Sequence, residues 1–146
     1  MDRSRPGSKH HLLTDGNGIP LVVHLTAANH SDVNQLYPLV DDIPPLRGPR
    51  GRPRFRPRRL YADRAYDSKP HRIGLRLRGI QPFLARRNTE HGSGLGIHRW
   101  VVERTISWFH QQRRLRVRFE RRPDIHEALL ALTAALICWR VIQDSL

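Results

Sequence analysis

Two short stretches place carboxylates where phosphodiester chemistry could use them. In Arg59-Leu60-Tyr61-Ala62-Asp63-Arg64-Ala65-Tyr66, a short strand-like run delivers Asp63 into the loop at its end. Further on, Arg99-Trp100-Val101-Val102-Glu103-Arg104 sets Glu103 among arginines. Two acids far apart in sequence, each flanked by cations, suit metal-dependent attack on a phosphodiester. Such chemistry uses two divalent cations about 4 Å apart, which activate the nucleophile and steady the leaving oxygen. Hard oxygen ligands match Mg²⁺ or Mn²⁺. A third acid normally completes the cluster. On spacing alone, an ordinary Arg–Glu pair on a helix surface is the better description of Glu103.

The elements around these acids follow from local pattern. Arg59 to Asp63 reads as a strand, with Leu60 and Ala62 on one face and Tyr61 on the other. Ser68 then caps a helix with Pro70 in its first turn and Gly79 at its end, its buried side marked by Ile73 and Leu77. Ile80 to Leu84 is a short strand, and Pro82 puts it at a sheet edge. A polar loop from Arg86 to Gly96 leads into a helix from about Ile97 to Leu115. On that helix Arg99 lies one turn before Glu103 and His110 two turns after it, while Val101, Val102, Ile106 and Phe109 face the sheet.

Upstream, the turn Asp15-Gly16-Asn17-Gly18 between apolar runs predicts an antiparallel hairpin over 9–26. A helix from Asp32 to Val40 follows, capped by Ser31 and apolar at Leu36, Leu39 and Val40, with Asp41 and Asp42 solvated at its end. Residues 43–58 are rich in Pro, Gly and Arg, and read as an exposed loop. Its Pro49-Arg50-Gly51-Arg52-Pro53 resembles the core of the AT-hook, a minor-groove peptide; a generic basic loop on backbone phosphate is the other reading. A last helix over 124–144 opens with Asp124 and Glu127 spaced as a capping box. Its run from Ala128 to Ile142 is apolar nearly all round, so it is either deeply buried or packed against a missing or partner segment. Hairpin, helix, loop, strand, helix, strand and two helices make an α/β layered domain with a mixed sheet, all within one domain over 1–146.

With 26 basic and 13 acidic residues, the chain carries a formal net charge of +13. Only Lys9 and Lys69 are lysine, and arginine favours bidentate contact with phosphate, so nucleic acid is the leading partner, which the resemblance below narrows to double-stranded DNA. The single cysteine, Cys138, excludes an internal disulfide and reads as a core residue. His10, His11 and His24 lie on strands and read as half-buried polar residues rather than metal ligands. The run from Ala128 to Ile142 is interrupted by Thr133 and Arg140 and reads as too short to span a bilayer, so no membrane role and a cytoplasmic site of action are expected.

Three blocks then identify a resemblance: Gly7-Ser8-Lys9-His10-His11-Leu12-Leu13-Thr14-Asp15-Gly16-Asn17-Gly18-Ile19-Pro20-Leu21, then Ala62-Asp63-Arg64-Ala65-Tyr66-Asp67-Ser68, then Arg99-Trp100-Val101-Val102-Glu103-Arg104 with Arg113-Arg114. Together they look like the DDE transposases of bacterial insertion sequences, the IS-five group. The resemblance implies an RNase H-like fold, a mixed sheet with flanking helices, and three acids that bind Mg²⁺ or Mn²⁺ to cleave and rejoin DNA at insertion-sequence ends. Asp63 matches the second Asp and Glu103 the Glu; Arg99 matches the signature Arg. Gly96 and His110 stand where the family has Tyr and Lys, so Arg113 and Arg114 are the substitutes expected to position DNA, with Arg50, Arg52 and Arg64 as further contacts. The family's first Asp lies on a central strand upstream of the first block, and Asp2 is not at a strand end. The expectation is an N-terminally truncated catalytic domain, inactive alone, completed by an upstream-frame segment or working within a homo-oligomer. The competing class is a non-catalytic basic DNA-binding protein, a transposase remnant or regulator.

Overall fold

A computed structural model describes residues 7–86 and 95–145. The stretch 87–94 of the expected polar loop, and Asp2, lie outside the described residues. The chain divides into two compact units, one of residues 1–29 with 100–146 and one of residues 30–99.

The first unit is built on the hairpin of β1 (Ser8–Thr14) and β2 (Pro20–Ala27), antiparallel as the turn residues predicted. The turn closes by Gly18 N–H donating to the Asp15 carbonyl at 3.2 Å, and Gly18 takes φ +83°. The other helices of this unit are α4 (Arg113–Arg116) and α5 (Pro123–Asp144), and α3 (Gly96–His110) belongs to it from Trp100 onward. Phe109, Leu115, Leu130 and Ile137 form the buried cluster, with Leu12, Val23 and Leu25 of the hairpin packed on it.

Several expectations here are corrected. The helix predicted to run to Leu115 ends at His110; Gln112 is extended at ψ 115°, and this break lets Leu115 turn into the core. The buried side of α3 is Val101, Thr105 and Phe109, four residues apart, whereas Ile106 is 37% exposed. No side-chain cap bond forms at the start of α5; Asp124 instead pairs with Arg122. α5 buries His126, Leu130, Thr133 and Ile137 but leaves Ile125, Leu132, Leu136, Trp139 and Ile142 exposed, so it is half-buried rather than enclosed. At 22 residues it is, among the described residues, a helix long and apolar enough to cross a bilayer by length and composition only, a property that the core helix of a soluble protein shares. Its buried His126 and Thr133 are instead what a helix packed in a protein core would carry.

The second unit is a β–α–β arrangement. β3 (Arg59–Ala62) pairs in parallel with β4 (Gln81–Leu84) through α2 (Lys69–Leu77), which Ser68 caps by accepting from the His71 amide. Gly79 takes φ +74° just past the helix end, as predicted. The buried side of α2 is Leu75, wholly enclosed; Ile73 and Leu77 are 47% and 84% exposed, which reverses the face read from their spacing. A 3₁₀ turn over Asp32–Gln35 leads into α1 (Leu36–Asp41), whose Leu36, Leu39 and Val40 are buried as expected. Ser31 makes no side-chain cap bond, and Asp41 is paired with Arg78 at 3.2 Å rather than simply solvated. The described strands form two separate pairs, one antiparallel and one parallel, so the α/β class holds and the single mixed sheet does not.

Candidate active site

Asp63 follows directly on β3 and caps a 3₁₀ turn, Arg64–Tyr66. Its Oδ1 accepts from the Ala65 amide at 3.0 Å, which fixes the carboxylate while leaving the residue exposed. The carboxyl ends of parallel strands are where α/β folds gather ligand-binding groups, because the loops there are free of the ladder. The loop after Asp63 is held firmly. Arg72 of α2 donates to Asp67 at 2.7 Å and to the Leu84 carbonyl at 2.8 Å, tying the loop to the end of β4. Tyr66 is mostly buried beneath it. Desolvation, and then the negative charges of Asp32 and Asp63, push its phenol pKa well above the usual value. Tyr66 therefore stays a neutral hydroxyl beside two carboxylates. Asp32, at the start of the 3₁₀ turn before α1, is an acid near this site that the sequence did not single out; nothing in its spacing marks it.

Glu103 is exposed on α3 in the first unit. The two residues after it anchor that helix to the hairpin turn. Thr105 Oγ1 is buried, within hydrogen-bonding distance of the Gly18 carbonyl at 2.7 Å and of the Val101 carbonyl at 3.0 Å. Arg104 donates to the Asn17 carbonyl, and its guanidinium lies 4.5 Å from the Trp100 ring centroid and 5.0 Å from that of Trp108. A guanidinium close to two indole rings gains cation–π attraction, while one of its N–H groups donates to the carbonyl. Gly18 is required at this junction: a β-carbon there would stand 2.9 Å from Thr105 Oγ1. The glycine-rich turn thus serves as a seat for the Glu103 helix as well as a reversal of the chain.

The remaining expected contacts fall as follows. His110 ends α3 and is exposed, and Arg113 and Arg114 are exposed on α4, with Arg114 reaching Glu120 at 3.5 Å. Arg50 and Arg52 are exposed in the 43–58 loop, Arg64 is half-buried beside Asp63, and Arg99 is exposed on the first turn of α3. Asp63 belongs to the second unit and Glu103 to the first. Among the described residues no three His, Cys, Asp or Glu side chains converge as a metal-binding group. The donor chemistry of Asp63 nevertheless fits a hard cation: an exposed, oriented carboxylate with Oδ1 fixed by a backbone amide.

The described residues thus form an α/β protein with a strand-end acid on a β–α–β unit, a second acid on a buttressed helix and an arginine-rich surface. The family model described as the transposase DDE domain matches residues 2–138, and the chain belongs to that family. It is 63% identical over 142 residues to a Burkholderia cepacia protein whose name assigns it as the transposase of insertion sequence element IS402, covering 97% of this chain and 67% of that protein. It is 27% identical over 116 residues to the Neisseria meningitidis serogroup B transposase for insertion sequence element IS1106, covering 73% of this chain and 36% of that protein. No solved structure matches.

Proposed function

We propose that the chain acts in DNA transposition as part of a metal-dependent transposase, with Asp63 and Glu103 as two of its catalytic carboxylates. The observation that carries this reading is the presentation of Asp63: exposed at the carboxyl end of β3, oriented by the Ala65 amide, in a loop pinned by Arg72. Divalent cations held by Asp63 and Glu103 would supply activation of the attacking oxygen and stabilisation of the leaving one. The chain's own residues position the substrate. Arg64, Arg99, His110, Arg113 and Arg114 offer donors for the phosphates of an insertion-sequence end. Strand cleavage and joining by the transposase containing this chain should fall at least about a hundredfold in Asp63→Asn or Glu103→Gln, with end-DNA binding within about twofold. Unchanged cleavage in both variants would sink the reading.

A second reading, a non-catalytic DNA-binding protein, is favoured by the lack of a converging three-residue metal group among the described residues. The same substitutions separate the two. Under this reading wild type shows salt-sensitive DNA binding and no Mg²⁺-dependent strand transfer, and both variants bind as well or better.

A further inference from the structure

The loop between α1 and β3 carries a charge pattern that the acidic site does not use. From Arg47 to Arg59 there are seven arginines in 13 residues, and no acidic residue occurs between Asp42 and Asp63. All seven are exposed, and none of them pairs with a carboxylate among the described residues. The segment is nonetheless shaped. Leu46 and Arg54 form an antiparallel bridge through backbone bonds of 2.9 and 2.8 Å, closing residues 47–53 into a tip. At that tip Gly51 takes φ +108°, and a β-carbon there would meet nothing within 4 Å, so the turn is slender and open.

In sequence Arg50, Arg52, Arg54, Arg56 and Arg58 alternate with Gly51, Pro53, Phe55 and Pro57, while the backbone bends at 49–51, 56 and 58. Pro53 and Pro57 fix φ at two of the intervening positions. A pre-stiffened chain also loses less conformational freedom on binding than a glycine–serine loop would.

The chemistry of the segment selects among polyanions. Arginine is the one hydrogen-bonding side chain between Pro44 and Leu60; its bidentate base contact is with guanine alone, so base reading is confined to that edge and the phosphates take the remaining contacts. Phe55, 58% exposed, is its lone aromatic, too few for the stacking platforms that hold single strands. We infer that residues 47–59 are a duplex-DNA arm that tracks one phosphate backbone, sequence-independently and without help from Asp63 or Glu103. This rests on the reading of the chain as a DNA-acting protein and adds to it a binding element separate from the acidic residues.

The test is equilibrium binding of the full chain to a mixed-sequence duplex of about 30 base pairs, by fluorescence anisotropy from about 50 to 200 mM NaCl. Replacing Arg50, Arg52, Arg54, Arg56 and Arg58 together by Gln should make the slope of log K against log salt shallower by roughly 4, at about 0.9 per lost phosphate contact, and weaken binding at least about a hundredfold at low salt. If that variant fails to fold by circular dichroism, five single Arg→Gln variants should each lower the slope by about 0.9. A summed slope change below about 1 overturns the proposal. So does tighter binding of wild type to a single-stranded oligonucleotide, or to phosphatidylserine-containing vesicles, than to the duplex. The cleavage reading fails or survives separately, because it is read from Mg²⁺-dependent strand transfer in Asp63→Asn and Glu103→Gln, whereas this proposal is read from the salt slope of the arginine variants alone.

Discussion

Gly18 joins two requirements in one residue. The turn needs φ +83°, and the α3 helix needs its Thr105 hydroxyl and Arg104 guanidinium close to the Gly18 and Asn17 carbonyls. Any side chain fails on both counts, since it is strained at that φ and its β-carbon stands within 3.0 Å of Arg104. Gly18→Ala should therefore destabilise the first unit by about 1–3 kcal/mol, read from urea or thermal unfolding. It should also reduce whatever activity depends on Glu103, because that helix loses its seat. Gly16→Ala is the control. A β-carbon there meets nothing within 4 Å and its φ is not positive, so its unfolding midpoint should stay near wild type.

At the scale of elements, the hairpin and α5 are joined by a histidine pair. His10 Nε2 lies 2.9 Å from His126 Nε2, with the rings stacked at 5.1 Å, and His126 Nδ1 lies 3.6 Å from Glu120. Between two facing ring nitrogens one must donate and the other accept, so the pair excludes a second proton. Burial of His10 first, then the charges of His126, His110, Arg118 and His11, lower its pKa from 6.5 to about 4. A base depressed in the folded state is protonated first in the unfolded chain. Stability is therefore complete above about pH 6.5 and is lost as pH falls toward 4, by on the order of 2 kcal/mol once discounted for the ring's partial exposure. Unfolding midpoints measured from pH 7 to 4 should show this loss, and His10→Gln should flatten it. The pair also marks what the sequence could and could not tell. The hairpin, the α2 caps and the strand ending at Asp63 were legible because turn glycines, Ser68 and the apolar runs act locally. The break after His110 was not, since Gln111, Gln112, Arg113 and Arg114 are all compatible with helix, and only burial of Leu115 beside Phe109 and Leu130 ends it. The face of α2 was misread because two apolar residues one turn apart define a stripe only on paper; enclosure chose Leu75. Of the proposed site, Asp63 and Glu103 could be singled out from their neighbours, while the placing of Asp32 near Tyr66 and the Arg104 clamp depend on contacts distant in sequence.

For the molecule as a whole, a net charge of +13 and a bare apolar arc on α5 pull in opposite directions. Charge of that size opposes association through self-repulsion, most strongly at low salt. The arc favours it. Leu132, Leu136 and Trp139 are 58%, 45% and 58% exposed, and they lie on the side of α5 opposite the buried Leu130, Thr133 and Ile137. An apolar helix with only one side packed is what the all-round hydrophobicity of 128–142 permits but does not decide. Full enclosure would have given the same sequence. The arc makes a direct prediction about the folded chain in water: it binds an apolar fluorescent dye such as 1-anilinonaphthalene-8-sulfonate without denaturant, and because that dye is an anion drawn to the cationic surface, the part of its fluorescence that survives added salt reports the arc. Because all three side chains point away from the core, Leu132→Gln, Leu136→Gln and Trp139→Gln together should remove most of that fluorescence while shifting the unfolding midpoint little, each within about 0.5 kcal/mol. Fluorescence that survives the triple change would place the exposed apolar surface elsewhere, and a large loss of stability would mean that these residues are covered in solution.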